Sequence, residues 1–275
     1  HPEKCPPILA SACYGAFVGE QRLSGHVYCF RRSQWPRLCV RSGTHVWPTR
    51  VEDLAMTEHE PASQRTTMKR GTNRAVYSPD EIRAVLQAGM IAHVGVTTED
   101  GPIVLPMAYG LRGDQILVHG SVANAMLRGG RGIDVCITVT IVDGLVVARS
   151  PLHNSMNYRS VVIRGRASPI TDPADQADAL KVINDHLAPI WDTARAPSES
   201  DYKQTLVLSV PLAEASAKIR DGDPIDDDDD IAGPCWAGVL PLTSTWGNPI
   251  DSADLRDGIQ PPTAVNTLSG SDAHG

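Results

Sequence analysis

The feature that most constrains this chain is a series of β-rich segments joined by tight turns between residues 91 and 167. Residues 91–96, 103–109, 115–120, 134–141, 145–150 and 158–167 all read as strands. Three of the breaks between them, Asp100-Gly101, Arg112-Gly113-Asp114 and Asp143-Gly144, have the length and residue types of hairpin connections. Strands this closely spaced leave no room for the crossover helices that parallel pairing requires. The pattern therefore predicts a mainly β fold with flanking helices, arranged as an antiparallel meander or barrel.

Helix signals bracket this series. Ser78-Pro79-Asp80-Glu81 supplies an N-cap hydroxyl, a proline at the first helical position and an acid three residues after the cap. Ile82, Val85, Leu86 and Met90 then share one face. Thr171-Asp172-Pro173 opens a second helix, with Leu180, Ile183 and Leu187 at helical spacing before Pro189. Residues 205–210 and 215–219 return to strand character, as do residues 235–242. Between them lies the run Asp226 to Asp230, whose adjacent carboxylates repel one another and predict a solvated loop. Consecutive residues cannot all point at one ion, so no metal site is expected there.

Periodicity is lost at both ends. Residues 1–69 read as a disordered N-terminal extension, with Met56 and Met68 as plausible natural starts. Residues 70–250 form the folded domain, and residues 251–275, rich in Gly, Ser, Pro and Asp, read as a disordered tail.

Composition narrows the function. A formal net charge of −7 argues against tracking nucleic-acid phosphates, which takes an excess of Lys and Arg. The apolar stretch 8–18 is about half the length needed to span a bilayer and lacks a basic leader, so a cytoplasmic protein with no membrane partner is expected. The six cysteines contain no C-x-x-C pair, and Cys136, inside an apolar run, reads as a buried small hydrophobe. The chain has no G-x-G-x-x-G, no Walker-type phosphate loop, no H-E-x-x-H and no G-x-S-x-G. Any cofactor must be held by the β-sheet itself.

The segments RAVYSPDEIRAVL (74–86), AHVGV (92–96), VLPMAY (104–109), LVHGS (117–121), SPLHNSMNYRSVVIRGRA (150–167), ASAKIR (215–220) and CWAGVLPL (235–242) follow one another in an order that resembles the FMN-binding split-barrel family related to pyridoxamine 5'-phosphate oxidase. Within it the chain looks like the nitroimidazole-reductase and flavin-nucleotide-binding branch. The resemblance implies an antiparallel split β-barrel that binds FMN at the interface of a homodimer and acts on a small-molecule substrate. The late Arg-x-His motif of the true vitamin B6 oxidases is absent from the sequence, so pyridoxamine phosphate oxidation itself is disfavoured.

FMN presents a flat ring with a polar edge and a dianionic phosphate. Leu105, Pro106, Met107, Ala108 and Tyr109 are the candidates for the wall against the ring, and His119, Gly120 and Ser121 form the next strand-to-loop corner. Charge-assisted donors suit the phosphate best. Arg159 and Ser160 look like the family's Arg-Gln or Arg-Ser pair at the ligand, Asn157 and Tyr158 beside them are further candidate contacts, and the loop through Asn124 offers backbone and amide donors. Here the chain departs from the pattern: Asn124-Ala125 stands where the family usually carries Arg, which leaves Arg128, Arg131 and above all Arg159 as cationic candidates. His153 is a candidate acid or substrate-facing donor. Tyr109 and Tyr158 have half-buried core positions as the plainer reading, His93 is structural, Trp236 belongs to the core or an interface, and Arg164 and Arg166 are solvated. The expected function is an FMN-dependent oxidoreductase. The alternatives are a non-catalytic flavin storage or sensing protein, and a deazaflavin- or haem-binding relative of the same fold.

Overall fold

The computed structural model describes residues 59–122 and 132–274. Asn124, Ala125, Arg128 and Arg131, together with most of the expected N-terminal extension, lie outside the described residues. In chain order the elements are β1 (Ala75–Val76), α1 (Pro79–Ala88), β2 (Ala92–Thr98), β3 (Gly101–Met107), β4 (Tyr109–Arg112), β5 (Gln115–Ser121), β6 (Ile133–Val147), β7 (Ser155–Pro169), α2 (Pro173–Asn184), α3 (Glu199–Lys203), β8 (Thr205–Pro211), β9 (Ala215–Arg220), α4 (Asp228–Ile231), β10 (Gly238–Pro241) and α5 (Thr263–Leu268). The strands join in the order β3-β2-β6-β7-β8-β5-β4, with β9 also on β7, β1 on β9 and β10 on β6. Every pairing is antiparallel, as the short turns require. The end strands β3 and β4 do not pair with each other, so the barrel is split rather than closed.

Alternation along the long strands builds the core. On β6, Val135, Ile137, Val139 and Ile141 are buried, and on β7 Val161, Ile163 and Ala167 meet them. Helix α1 adds Ile82, Val85 and Leu86 from one face. Strand β5 is buried on both sides: Ile116 and Val118 enter the barrel core, and Leu117 packs in a second cluster with Ile183 of α2.

The end of α1 is closed by side chains from three other segments. Tyr109 Oη lies 2.6 Å from Leu86 O and 2.8 Å from Gly89 O, His186 Nε2 donates to Gly89 O at 2.8 Å, and His274 Nδ1 donates to Ala88 O at 3.0 Å. These bonds satisfy carbonyls that a helix end otherwise leaves without partners.

Several sequence expectations change. Asp143-Gly144 is not a hairpin turn, because β6 runs straight through it to Val147 with a bulge between Val142 and Gly144. Gly144 serves close approach instead: a Cβ there would lie 2.9 Å from Leu240 O, where β10 pairs on. The turn comes later, at a 3-10 segment Pro151–His153, where Asn154 Oδ1 accepts from Ala148 N at 2.8 Å. Cys136 is exposed rather than buried, since it falls on the outward phase of β6 beside Arg164. Ser78 sits at the N-cap of α1 without a side-chain cap bond. The acidic run holds α4, and Asp226 turns inward to Arg149, accepting from its backbone N and from Nη1, each at 2.8 Å.

Both expected disordered regions contain structure. Met68 N donates to Tyr77 Oη at 2.9 Å, and Arg65 pairs with Glu214 at 3.0 Å. Residues 251–274 carry α5 and a bridge from Thr245 to Asp272, and they deliver His274 to α1. Backbone bonds between residues 244–246 and 270–273 hold this tail where its composition supplies little apolar burial. No helix among the described residues is long and apolar enough to cross a membrane.

Candidate functional site

The candidate residues fall into two groups. Around the end of β5, a cavity of about 220 Å³ is lined by Ala108, Tyr109 and His119, together with Met90, Ile183, His186 and Trp191. His119 reaches it because β5 pairs with β8, placing His119 opposite Val207 and next to the α2 cluster. Its Nδ1 is buried and has no hydrogen-bond partner. Burial pushes the His119 imidazole below the ordinary histidine pKa, which favours the neutral form. His186 is also pushed down by burial, against the opposing pull of its bond to Gly89 O. Because a carbonyl only accepts, His186 carries its proton on Nε2. Its ring lies 4.4 Å from that of Tyr109, centroid to centroid. Tyr109 itself is a core residue, with its hydroxyl bonded to α1 and its pKa pushed up by burial.

The expected ring wall is not uniform. Leu105 packs partly buried against the core and Met107 and Tyr109 are buried, whereas Pro106 and Ala108 are exposed. Gly120 is half-buried and Ser121 is exposed at the end of β5. Asn124 lies outside the described residues.

The second group lies at the start of β7. Arg159 pairs with Asp143 through Nη2 at 2.8 Å and Nε at 3.1 Å, leaving Nη1 for another acceptor. Asn157 is buried, with Nδ2 donating to Gly222 O at 3.1 Å and Oδ1 accepting from Arg220 Nη1. Ser160 Oγ lies 2.8 Å from Thr140 Oγ1, and Tyr158 is half-buried. Arg220, buried and bonded also to Asp223 O at 3.1 Å, was not among the expected site residues; the only sequence signal for it was its place in ASAKIR. His153 sits on the β6–β7 turn, its Nδ1 buried without a partner. Trp236 is exposed, and His93, Arg164 and Arg166 face solvent.

One chain does not bring the two groups together. Pro169 pairs with Leu208, which pairs with Val118, so His119 lies near the far end of β7 from Arg159. Ten residues of strand at about 3.3 Å each put roughly 33 Å of β7 between Arg159 and Pro169. A separate cavity of about 460 Å³, lined by Tyr77, Ile82, Arg83 and Leu212 among others, includes none of the expected residues.

Fold and site together define an antiparallel split-barrel protein with a histidine-lined cavity. The chain belongs to the pyridoxamine 5'-phosphate oxidase family: the family model of that description matches residues 78–219. The flavocytochrome Anf3 from Azotobacter vinelandii is 35% identical over 78% of this chain and 100% of its own, with a TM-score of 0.74. The FAD and haem binding protein from Mycobacterium smegmatis is 30% identical over 74% of this chain and 100% of its own, with a TM-score of 0.69. No curated protein matches.

Proposed function

We propose that this chain is a redox protein that binds a flavin and a haem. The observation that carries the haem part is His119: a neutral imidazole with a buried, unpartnered nitrogen at a largely apolar cavity. A neutral imidazole is one of the axial ligands that a haem iron takes from a protein. Both solved relatives above are described as binding flavin with haem or as a flavocytochrome, which supports the pairing. The residues fit a flavin phosphate at Arg159, whose Nη1 donors are not engaged by Asp143. FMN is the flavin that the sequence resemblance implies, and FAD is what the mycobacterial relative is described as binding.

A homodimer completes the reading. Leu240, Leu145 and Met156 are exposed and stand in register across β10, β6 and β7, giving one apolar stripe on the outer face. A second copy covering that stripe would supply what the separation of Arg159 and His119 denies to a single chain. Bound flavin supplies hydride and electron transfer to a small molecule, and the chain's part is to orient the ring, neutralise the phosphate and keep water away.

The test is the absorption spectrum of the purified protein, with the nucleotide released by denaturation and identified by mass. A flavin envelope plus a Soret band is expected, and His119→Ala should lose the Soret band while keeping the flavin. A colourless protein that takes up neither added FMN or FAD nor haemin overturns the proposal. Bound flavin that is reduced yet never turns over a small acceptor removes the oxidoreductase part and leaves storage or sensing.

A further inference from the structure

The acidic run and the β6–β7 turn meet at a corner beside the second group, through His153. One ring nitrogen of His153 and one carboxylate oxygen each from Asp226 and Asp230 lie within 4.8 Å of one another. The sequence expectation concerns consecutive residues only. Neighbouring carboxylates diverge, but the first turn of α4, with Asp230 N donating to Asp227 O, brings Asp230 back beside Asp226, which stands just before the helix N-cap. His153 approaches from the 3-10 segment across the turn.

One buried ring nitrogen at this corner, His153 Nδ1, lacks a partner. Burying such an atom unbonded is unfavourable unless something else occupies its lone pair. Asp226 has a fully buried side chain, bonded to Arg149 through both carboxylate oxygens. A carboxylate offers about four acceptor positions, of which Arg149 takes two. Asp226 pairs with the guanidinium of Arg149, and Asp230 brings a second carboxylate to the same corner.

We propose that His153, Asp226 and Asp230 form a binding site for one Zn²⁺-class divalent cation. An imidazole nitrogen with two carboxylate oxygens suits zinc, whereas Mg²⁺ and Ca²⁺ prefer oxygen alone. Ligand atoms about 2.05 Å from Zn²⁺ in a tetrahedron stand roughly 3.3 Å apart, so the corner contracts slightly on binding and water fills the fourth position. The ion ties the turn between β6 and β7 to the segment that carries α4.

Zinc counting on the full chain tests this independently of flavin or haem, because elemental analysis separates zinc from iron. Protein stripped with a chelator and dialysed against Zn²⁺ should hold one more zinc per chain than His153→Ala or Asp230→Asn, treated alike. Competition with a coloured chelator should show at least a tenfold weaker site in each variant. Zn²⁺ should raise the melting temperature of the parent chain and not of the variants, and Mg²⁺ at the same concentration should leave it unchanged. His153 lies on the 3-10 segment and Asp230 on the short α4, both partly exposed, and Asp230→Asn keeps the shape, so circular dichroism should confirm folded variants. Equal zinc content and affinity in parent and variants, or none in any of them, overturns the proposal.

Discussion

Arg159 on β7 holds Asp143 on β6 through two nitrogens, Nη2 to Oδ1 at 2.8 Å and Nε to Oδ2 at 3.1 Å. Asp143 is the extra residue of the bulge, between the pairs Val142–Tyr158 and Gly144–Asn157. Side chains of both are about one-third exposed, so solvent screens the pair and its contribution to stability stays near or below about 1 kcal/mol. Its larger effect is on ligand charge. If Arg159 contacts a flavin phosphate, Arg159→Ala should weaken flavin binding at least tenfold, while Asp143→Asn removes a nearby negative charge and should tighten it. Fluorescence titration with the nucleotide reads both; losses of equal size in the two variants would mean the pair only shapes the bulge.

Gly89 links α1 to the barrel at a distance no side chain can occupy. A Cβ there would lie 2.3 Å from Val139 Cγ1 and 2.7 Å from Tyr109 Oη. Gly89→Ala must push α1 off β6 or displace Tyr109 from its carbonyl partners, which should cost about 1–3 kcal/mol. Urea midpoints check it, with Gly247→Ala, where a Cβ would meet nothing within 4 Å, as a control shifted by less than about 0.5 kcal/mol.

His119 and His186 make stability depend on pH. Burial, the leading cause for both, lowers their folded-state pKa below the ordinary value of 6.5. Between that value and the folded one the unfolded chain binds more protons, so stability rises with pH across the window. The contribution is complete above about pH 6.5 and is lost as pH falls toward the folded values. The cofactor-free protein should show a falling urea midpoint from pH 7 to pH 5, and His119→Gln should flatten that slope. An unchanged slope would place the proton uptake elsewhere.

What the sequence revealed, and what it hid, separates along physical lines. Alternating Val and Ile in β6 and β7 announce strands because a period of two follows from the pleat, and Ser78-Pro79 marks a helix start because local backbone geometry demands it. Asp143-Gly144 misled because the same dipeptide serves a bulge and a turn; only the neighbour pressing on Gly144, Leu240 O, decides between them. Cys136 misled because one step of strand phase exchanges core for solvent. For the site, His119 carried a motif signal in LVHGS, whereas His186 and Trp191 join it only through α2 and the turn after it. His153 with Asp226 and Asp230 spans more than seventy residues and has no local pattern at all.

The apolar stripe gives the last prediction. Leu145 and Met156 are each 45% exposed and Leu240 is 64% exposed, three large side chains abreast on neighbouring strands where a monomer gains nothing by displaying them. Leu152, at the tip of the β6–β7 turn, is 93% exposed and extends the apolar surface. Covering such a patch with a second copy removes it from water, and a charge placed in its middle would have to be buried without a partner. Leu145→Asp should therefore convert a dimer to monomers in sedimentation-velocity runs while leaving circular dichroism unchanged, since the side chain faces away from the core. If the flavin contacts of Arg159 depend on the partner, the same variant should also release flavin. A parent chain that sediments as a monomer, or a Leu145→Asp variant that stays dimeric, would remove the second copy from this face.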